Sequence, residues 1–138
     1  MTSLDLFHDI KPEIGLKTKA IVSDTTTVGE IIDTLGYESI NFLLQSATLT
    51  DGVYTPAIYA GDDPTMSDEA VITSDFLLGT VAEATFVATE DDIAKWIGAL
   101  AGKRYFRIKI VSTGVTTGGT IGAIALLGHP TSAPTTAV

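Results

Sequence analysis

From Lys19 onward, short runs of β-branched and aromatic residues recur every 10 to 15 positions, separated by turn residues. That spacing is what a sandwich or barrel of antiparallel strands requires. Lys19 to Ser23 is the first run, closed by the polar cluster Asp24 to Thr27, and Val28 to Thr34 is the second, with Gly36 as its turn residue. Ser39 to Ser46 alternates, placing Ile40, Phe42 and Leu44 on one face and Asn41, Leu43 and Gln45 on the other. Thr50-Asp51-Gly52-Val53 is a hairpin signal, because Asp-Gly readily supplies the positive φ angles of a primed turn. The returning run, Val53 to Ala60, contains Pro56, which cannot donate to a ladder and points to an edge or a bulge. Ala70 to Thr73 and Glu83 to Thr89 read as further strands, the latter with Ala84 and Phe86 on one face. Arg104 to Ser112 sends Phe106, Ile108 and Ile110 inward and Tyr105, Arg107 and Lys109 outward. Ile121 to Leu127 is apolar throughout, which suits a central strand covered on both faces.

Residues 90–101 read two ways. Ile93, Trp96, Ile97 and Leu100 recur at helical spacing, with Thr89 as a candidate N-cap, Asp92 completing a box-like pair and Gly102 as the residue beyond the end. The same stretch can equally pair as a strand with Tyr105 to Arg107 around a turn at Ala101-Gly102. No linker divides the chain, so we expect a single domain over 1–138: an extended N-terminal arm at 1–18, a core at 19–128 and a C-terminal tail at 129–138.

Charge narrows the function classes. The 138 residues carry 8 basic and 17 acidic side chains, a net charge of -9, and no cysteine. Such a balance argues against a nucleic-acid surface, since phosphate neutralisation needs clustered Lys and Arg. Without cysteine there are no disulfides, thiolate metal sites or thiol nucleophiles. Charged residues are only 18% of the chain and mean hydropathy is +0.33, so we expect surface hidden against a partner. The last 29 residues, Ile110 to Val138, contain no Asp, Glu, Lys or Arg. The N-terminus lacks the basic and apolar regions of a signal peptide, and no apolar run approaches the ~20 residues of a membrane span. A soluble, cytosolically made protein is expected.

Candidate chemistry is sparse. Asp62, Asp63, Asp68 and Glu69 lack the spacing of a calcium loop, and Pro64 interrupts them, so they read as a solvated loop. Glu90-Asp91-Asp92 has no basic residue adjoining it and reads as a polar turn. Gly118 to Gly122 lacks the ending of a phosphate loop. Serine and threonine are abundant, but no base is placed to activate one. We therefore expect no catalytic residues, no metal and no cofactor. The candidate partner contacts are Lys103, Arg104, Arg107 and Lys109, half of all the basic residues within seven positions, together with His129 and Pro130. The basic group suits an acidic protein neighbour better than nucleic acid, and equally suits a solvated face.

Several stretches carry a resemblance: Gly36 to Phe42, Ala47 to Gly52, Leu77 to Thr80, Gly102 to Arg107 and Ala125 to Pro130. Together, over roughly Leu4 to Pro130, the chain resembles the small cement (decoration) proteins of tailed-bacteriophage heads, the family that includes the cement protein of the Bordetella bacteriophage head. The resemblance implies a jelly-roll-like antiparallel β-sandwich on the outside of a shell built by a different, major capsid protein. It also implies clamping of neighbouring subunits by a homo-oligomer, here expected to be a dimer, and a strand at Lys95 to Leu100. It brings no catalytic motif. The expected location is the capsid exterior of the virion, after synthesis in the host cytoplasm. Two other readings stand beside it: a carbohydrate- or receptor-binding sandwich with Tyr37, Tyr54, Tyr59 or Trp96 as stacking platforms, and a head–tail or tail-tube structural protein.

Overall fold

The computed structural model describes residues 6–100 and 102–130. Strands dominate them: β1 (Lys11–Ile21), β2 (Thr25–Val28), β3 (Ile32–Asp33), β4 (Tyr37–Leu49), β5 (Val53–Gly61), β6 (Ala70–Val71), β7 (Leu77–Leu78), β8 (Phe86–Val87), β9 (Ala94–Leu100), β10 (Tyr105–Thr113) and β11 (Gly119–Pro130). A five-stranded sheet runs in the order β1-β11-β4-β9-β7. In the six-stranded sheet β2 and β3 pair with one side of β10, β5 with the other, and β6 and β8 lie beyond β5. Every pairing is antiparallel, and the sheets pack face to face as the expected all-β sandwich.

The period-2 pattern produces the core directly. Ile40, Phe42 and Leu44 of β4 are fully buried, as are Ile121 and Ala125 of β11 and Phe106 and Ile108 of β10. Large and small side chains oppose each other: Phe42 pairs with Ala125 and Leu44 with Ala123. A Cβ on Gly15 would lie 3.0 Å from the Phe42 ring, so that glycine lets β1 pass over the aromatic. Gly29 makes an even closer approach. Its amide donates to the Ile108 carbonyl of β10 at 2.8 Å, the next amide, Glu30, donates to the Gly15 carbonyl of β1 at 2.8 Å, and a Cβ on Gly29 would sit 2.4 Å from that carbonyl. The two sheets are thereby joined along one side of the sandwich.

Several expectations change. Lys11 to Thr18, expected as an arm, is extended but laddered to β11 as most of edge strand β1. The portions of the arm and tail at 1–5 and 131–138 lie outside the described residues, as does Ala101; His129 and Pro130 belong to β11 rather than to a tail. The run Val28 to Thr34 is broken at Gly29 by the close approach just described. Asp51-Gly52 does form a turn, with Gly52 at φ 94°, but not a hairpin: β4 and β5 belong to different sheets. Pro56 faces Ile110 of β10 within β5, between the short stretches where β8 and β6 pair with the far side of that strand. Glu83 to Thr89 is a strand only at Phe86–Val87; before it comes a one-turn helix α1 (Val81–Ala84), whose Thr80 hydroxyl accepts from the Glu83 amide at 3.1 Å and donates to the Glu83 carboxylate at 3.0 Å. That is a side-chain N-cap on the helix's first turn.

The ambiguous segment is a strand from Ala94 to Leu100. Thr89 and Asp92 adopt φ 74° and 54°, left-handed values that no α-helix continues through. Their amides donate to the Leu49 and Ala47 carbonyls, and the Asp91 carboxylate accepts from the Leu49 amide at 2.7 Å. Fastened to the end of β4 in this way, the chain has no course but antiparallel pairing along it.

The Asp51 carboxylate accepts from the amides of Thr116, Thr117 and Gly118 at 3.2, 3.0 and 2.8 Å, and from the Thr116 hydroxyl. These bonds, the hydroxyl's first, hold it far below the ordinary carboxylate range. Asp33, Asp63, Asp68, Glu69 and Glu90 are also lowered by hydrogen bonds to their charged forms. A depressed carboxyl adds stability wherever it is ionised in both folded and unfolded chains, and that stability is lost as pH falls through the unfolded value toward the folded one.

Two outcomes are expected. Phe42→Ala removes a fully buried ring from the middle of the sandwich and costs about 3–5 kcal/mol in urea unfolding; a loss under about 1 kcal/mol would contradict this packing. Thermal melts show no change attributable to these carboxylates above about pH 5 and a falling Tm below it. Asp51→Asn lowers the neutral-pH Tm and flattens that acid limb; a limb of unchanged steepness would contradict the role given to Asp51.

Candidate partner interface

Register brings four of the six candidate contacts to one end of the sandwich. Leu127 pairs with Lys11, Pro130 with Tyr37, Ser39 with Leu100, and Tyr105 with both Asp33 and Gly61. The ends of β11, β9 and β5 thus meet the beginnings of β1, β4 and β10, and the connection through Lys103 and Arg104 passes between the sheets there. Arg104 makes a two-pronged pair with Asp33 at 2.9 Å for both contacts, and its carbonyl accepts the Thr34 hydroxyl at 2.7 Å. This arrangement lowers Asp33 and raises Arg104 from their ordinary values. Lys103 pairs with Asp62 at 3.2 Å. His129, in a left-handed conformation at φ 51°, places Nδ1 2.9 Å from the Ser39 hydroxyl. Around these groups stand Leu6, Phe7, Leu35 and Leu100, each more than half exposed.

Arg107 and Lys109 are elsewhere, on the outer face of the six-stranded sheet. Both pair with Glu69, Arg107 at 2.9 Å, with side chains only 19% and 17% exposed. The hydrogen bond from Lys109 foremost, with the charge of Arg107 assisting, holds the Glu69 carboxyl below its ordinary value. Lys109 also covers Tyr59, 4.2 Å from the ring centre. The acidic neighbour expected for this cluster is therefore present within the chain itself. Lys11, Lys17 and Lys95 are likewise paired, with Glu13, Glu30 and Glu90, so seven of the eight basic side chains have an internal acid. The acidic loop serves its own backbone: Asp68 accepts from the amides of Asp62 and Asp63, and Asp63 from Thr65 and Ser67. Among the described residues no group of three or more acidic or histidine side chains is placed to hold a metal ion, and no helix is long and apolar enough to cross a membrane.

Of the four candidate stacking platforms, Tyr54 is fully buried and donates to the Asp51 carbonyl at 2.7 Å. Tyr37 and Tyr59 are half-buried, whereas Trp96 is 65% exposed. Trp96 belongs to a feature that reading by segments misses. On the outer face of the five-stranded sheet, Ile14 pairs with Ile124, Ile124 with Leu43 and Leu43 with Trp96, giving an apolar row across four strands. The next row is Pro12, Leu126, Asn41, Gly98 and Leu78. β11 is central as expected, but it is covered on one face only: Ile124 remains exposed. Between β1 and β4 this face sinks into an open groove of about 430 Å³ above Gly122 and Ile124, with Lys17 its single charged lining residue. The signal was available in Leu43 and Ile124, apolar residues at outward positions of strands whose inward positions are already filled.

No family model matches this sequence, and no curated protein matches it. Among solved structures the chain is similar to the SPBc2 prophage-derived protein YomS, at 14% identity and a TM-score of 0.47, over 86% of this chain and 93% of that one.

Proposed function

We propose that this chain is a non-enzymatic structural protein of a tailed-phage head that binds the outer surface of the shell and bridges neighbouring major capsid subunits. The observation that supports it best is the end of the sandwich where Leu6, Phe7, Leu35 and Leu100 stand in solvent around the internally paired Lys103 and Arg104. Such a surface adheres by apolar burial rather than by attraction to a polyanion, which suits a protein neighbour. The charge-free sequence Thr131 to Val138 follows directly from Pro130 at this end. The resemblance in Gly102 to Arg107 and Ala125 to Pro130 falls on the same residues. Many modest contacts of this kind on one particle act together, because each contact made turns the next into an intramolecular event.

One observation favours a second reading. Trp96 is a solvent-exposed aromatic suited to stacking on a sugar ring, as a carbohydrate-binding sandwich would need.

The deciding experiment adds purified protein to expanded shells that lack it. Saturable binding and a higher shell melting temperature are expected, with Leu35→Asp weakening binding about tenfold or more. Absence of wild-type binding to such shells overturns the proposal, and glycan-array binding dependent on Trp96 would establish the second reading in its place.

A further inference from the structure

We infer that the outer face of the five-stranded sheet is a self-association surface, on which Trp96 of each copy enters the groove between β1 and β4 of the other. The inference does not rest on the shell reading, which uses the end of the sandwich.

Charge selects the occupant. The chain carries a net charge of -9, so two copies repel unless they meet where the acids are absent. The two central rows of this face hold no Asp or Glu, and the groove lining holds none either. The outer face of the six-stranded sheet, by contrast, carries Arg107, Lys109 and Glu69.

Shape supplies the second reason. A two-fold contact must be complementary to itself, with a projection and a recess on the same patch. Trp96 and Ile124 lie in one row with β4 between them, so projection and groove centre are about 10 Å apart at the usual strand spacing. A two-fold axis lying in the interface plane, parallel to the strands and passing over Leu43, turns the two faces toward each other and places each indole over the other copy's groove. The groove lies where β1 slips its register against β11, and Thr18 packs so closely on Gly122 in its floor that a Cβ there would lie 2.6 Å from the Thr18 hydroxyl. Its volume of about 430 Å³ admits an indole. Four to five strands by seven residues give a patch of about 20 by 25 Å, hence about 1,000 Å² buried between two copies. That is the lower range of specific interfaces, so a micromolar dimer is expected.

Because Trp96 is the chain's single tryptophan, its emission reports the contact directly. Sedimentation equilibrium from about 1 to 200 µM is expected to show a monomer–dimer equilibrium, with the emission maximum moving to the red on dilution at the same midpoint. Trp96→Glu weakens association at least about 30-fold without changing the melting temperature of the monomer. Val111→Glu, on the opposite outer face, leaves association unchanged. A monomer throughout that range, a dimer insensitive to Trp96→Glu, or an emission maximum indifferent to dilution each overturns the inference. Leu35→Asp, which tests shell binding, leaves this equilibrium intact, so the two proposals fail separately.

Discussion

The sandwich depends on two glycines meeting backbone to backbone. Gly29 comes so close to the Gly15 carbonyl that no side chain fits, and its neighbourhood bonds at once to β10 of one sheet and β1 of the other. Gly15 in turn lies against the ring of Phe42, which faces Ala125. One contact therefore sets the separation of the sheets, the position of the edge strand and the space left for the buried ring of Phe42. Interiors packed at crystal-like density transmit such a constraint rather than absorb it.

How much of this could be read in the residues depended on distance along the chain. The inward faces of β4 and β10 were legible because alternation is local: Ile40, Phe42 and Leu44 declare a buried side without reference to anything else. Residues 90–101 were not, since Ile93, Trp96, Ile97 and Leu100 satisfy a helix as well as a strand. What decides between them is the fastening of Asp91 and Asp92 to β4, more than 40 residues away. Asp51-Gly52 showed its turn but not its wiring, because the carboxylate is committed to amides at 116–118. The candidate interface was half legible: Lys103, Arg104, His129 and Pro130 do come together, whereas Arg107 and Lys109 are occupied by Glu69, about 40 residues upstream.

The acidic balance is accordingly less a property of the whole surface than of what remains after internal pairing. With 17 acids against 8 bases, nearly every base is consumed and the surplus carboxylates are left to turns and loops, where many accept backbone amides. Sheet faces need no such service. One outer face keeps an internally paired ionic cluster and the other keeps apolar rows, so the molecule presents two chemically different sides.

Strand order carries a consequence for how the molecule is made. β11 lies between β1 and β4, yet it is the latest of the described strands to leave the ribosome. Until it arrives, β1 has no ladder partner and one side of β4 stands open. Among the described strands, β5 and β6 are the only consecutive ones that pair. Nearly all the ladder must therefore form by long-range closure, which is the slow way for a small domain to fold. A nascent chain in that state exposes unpaired strand edges of low charge, so its yield is governed by how fast the final strand is inserted rather than by the stability of the finished sandwich.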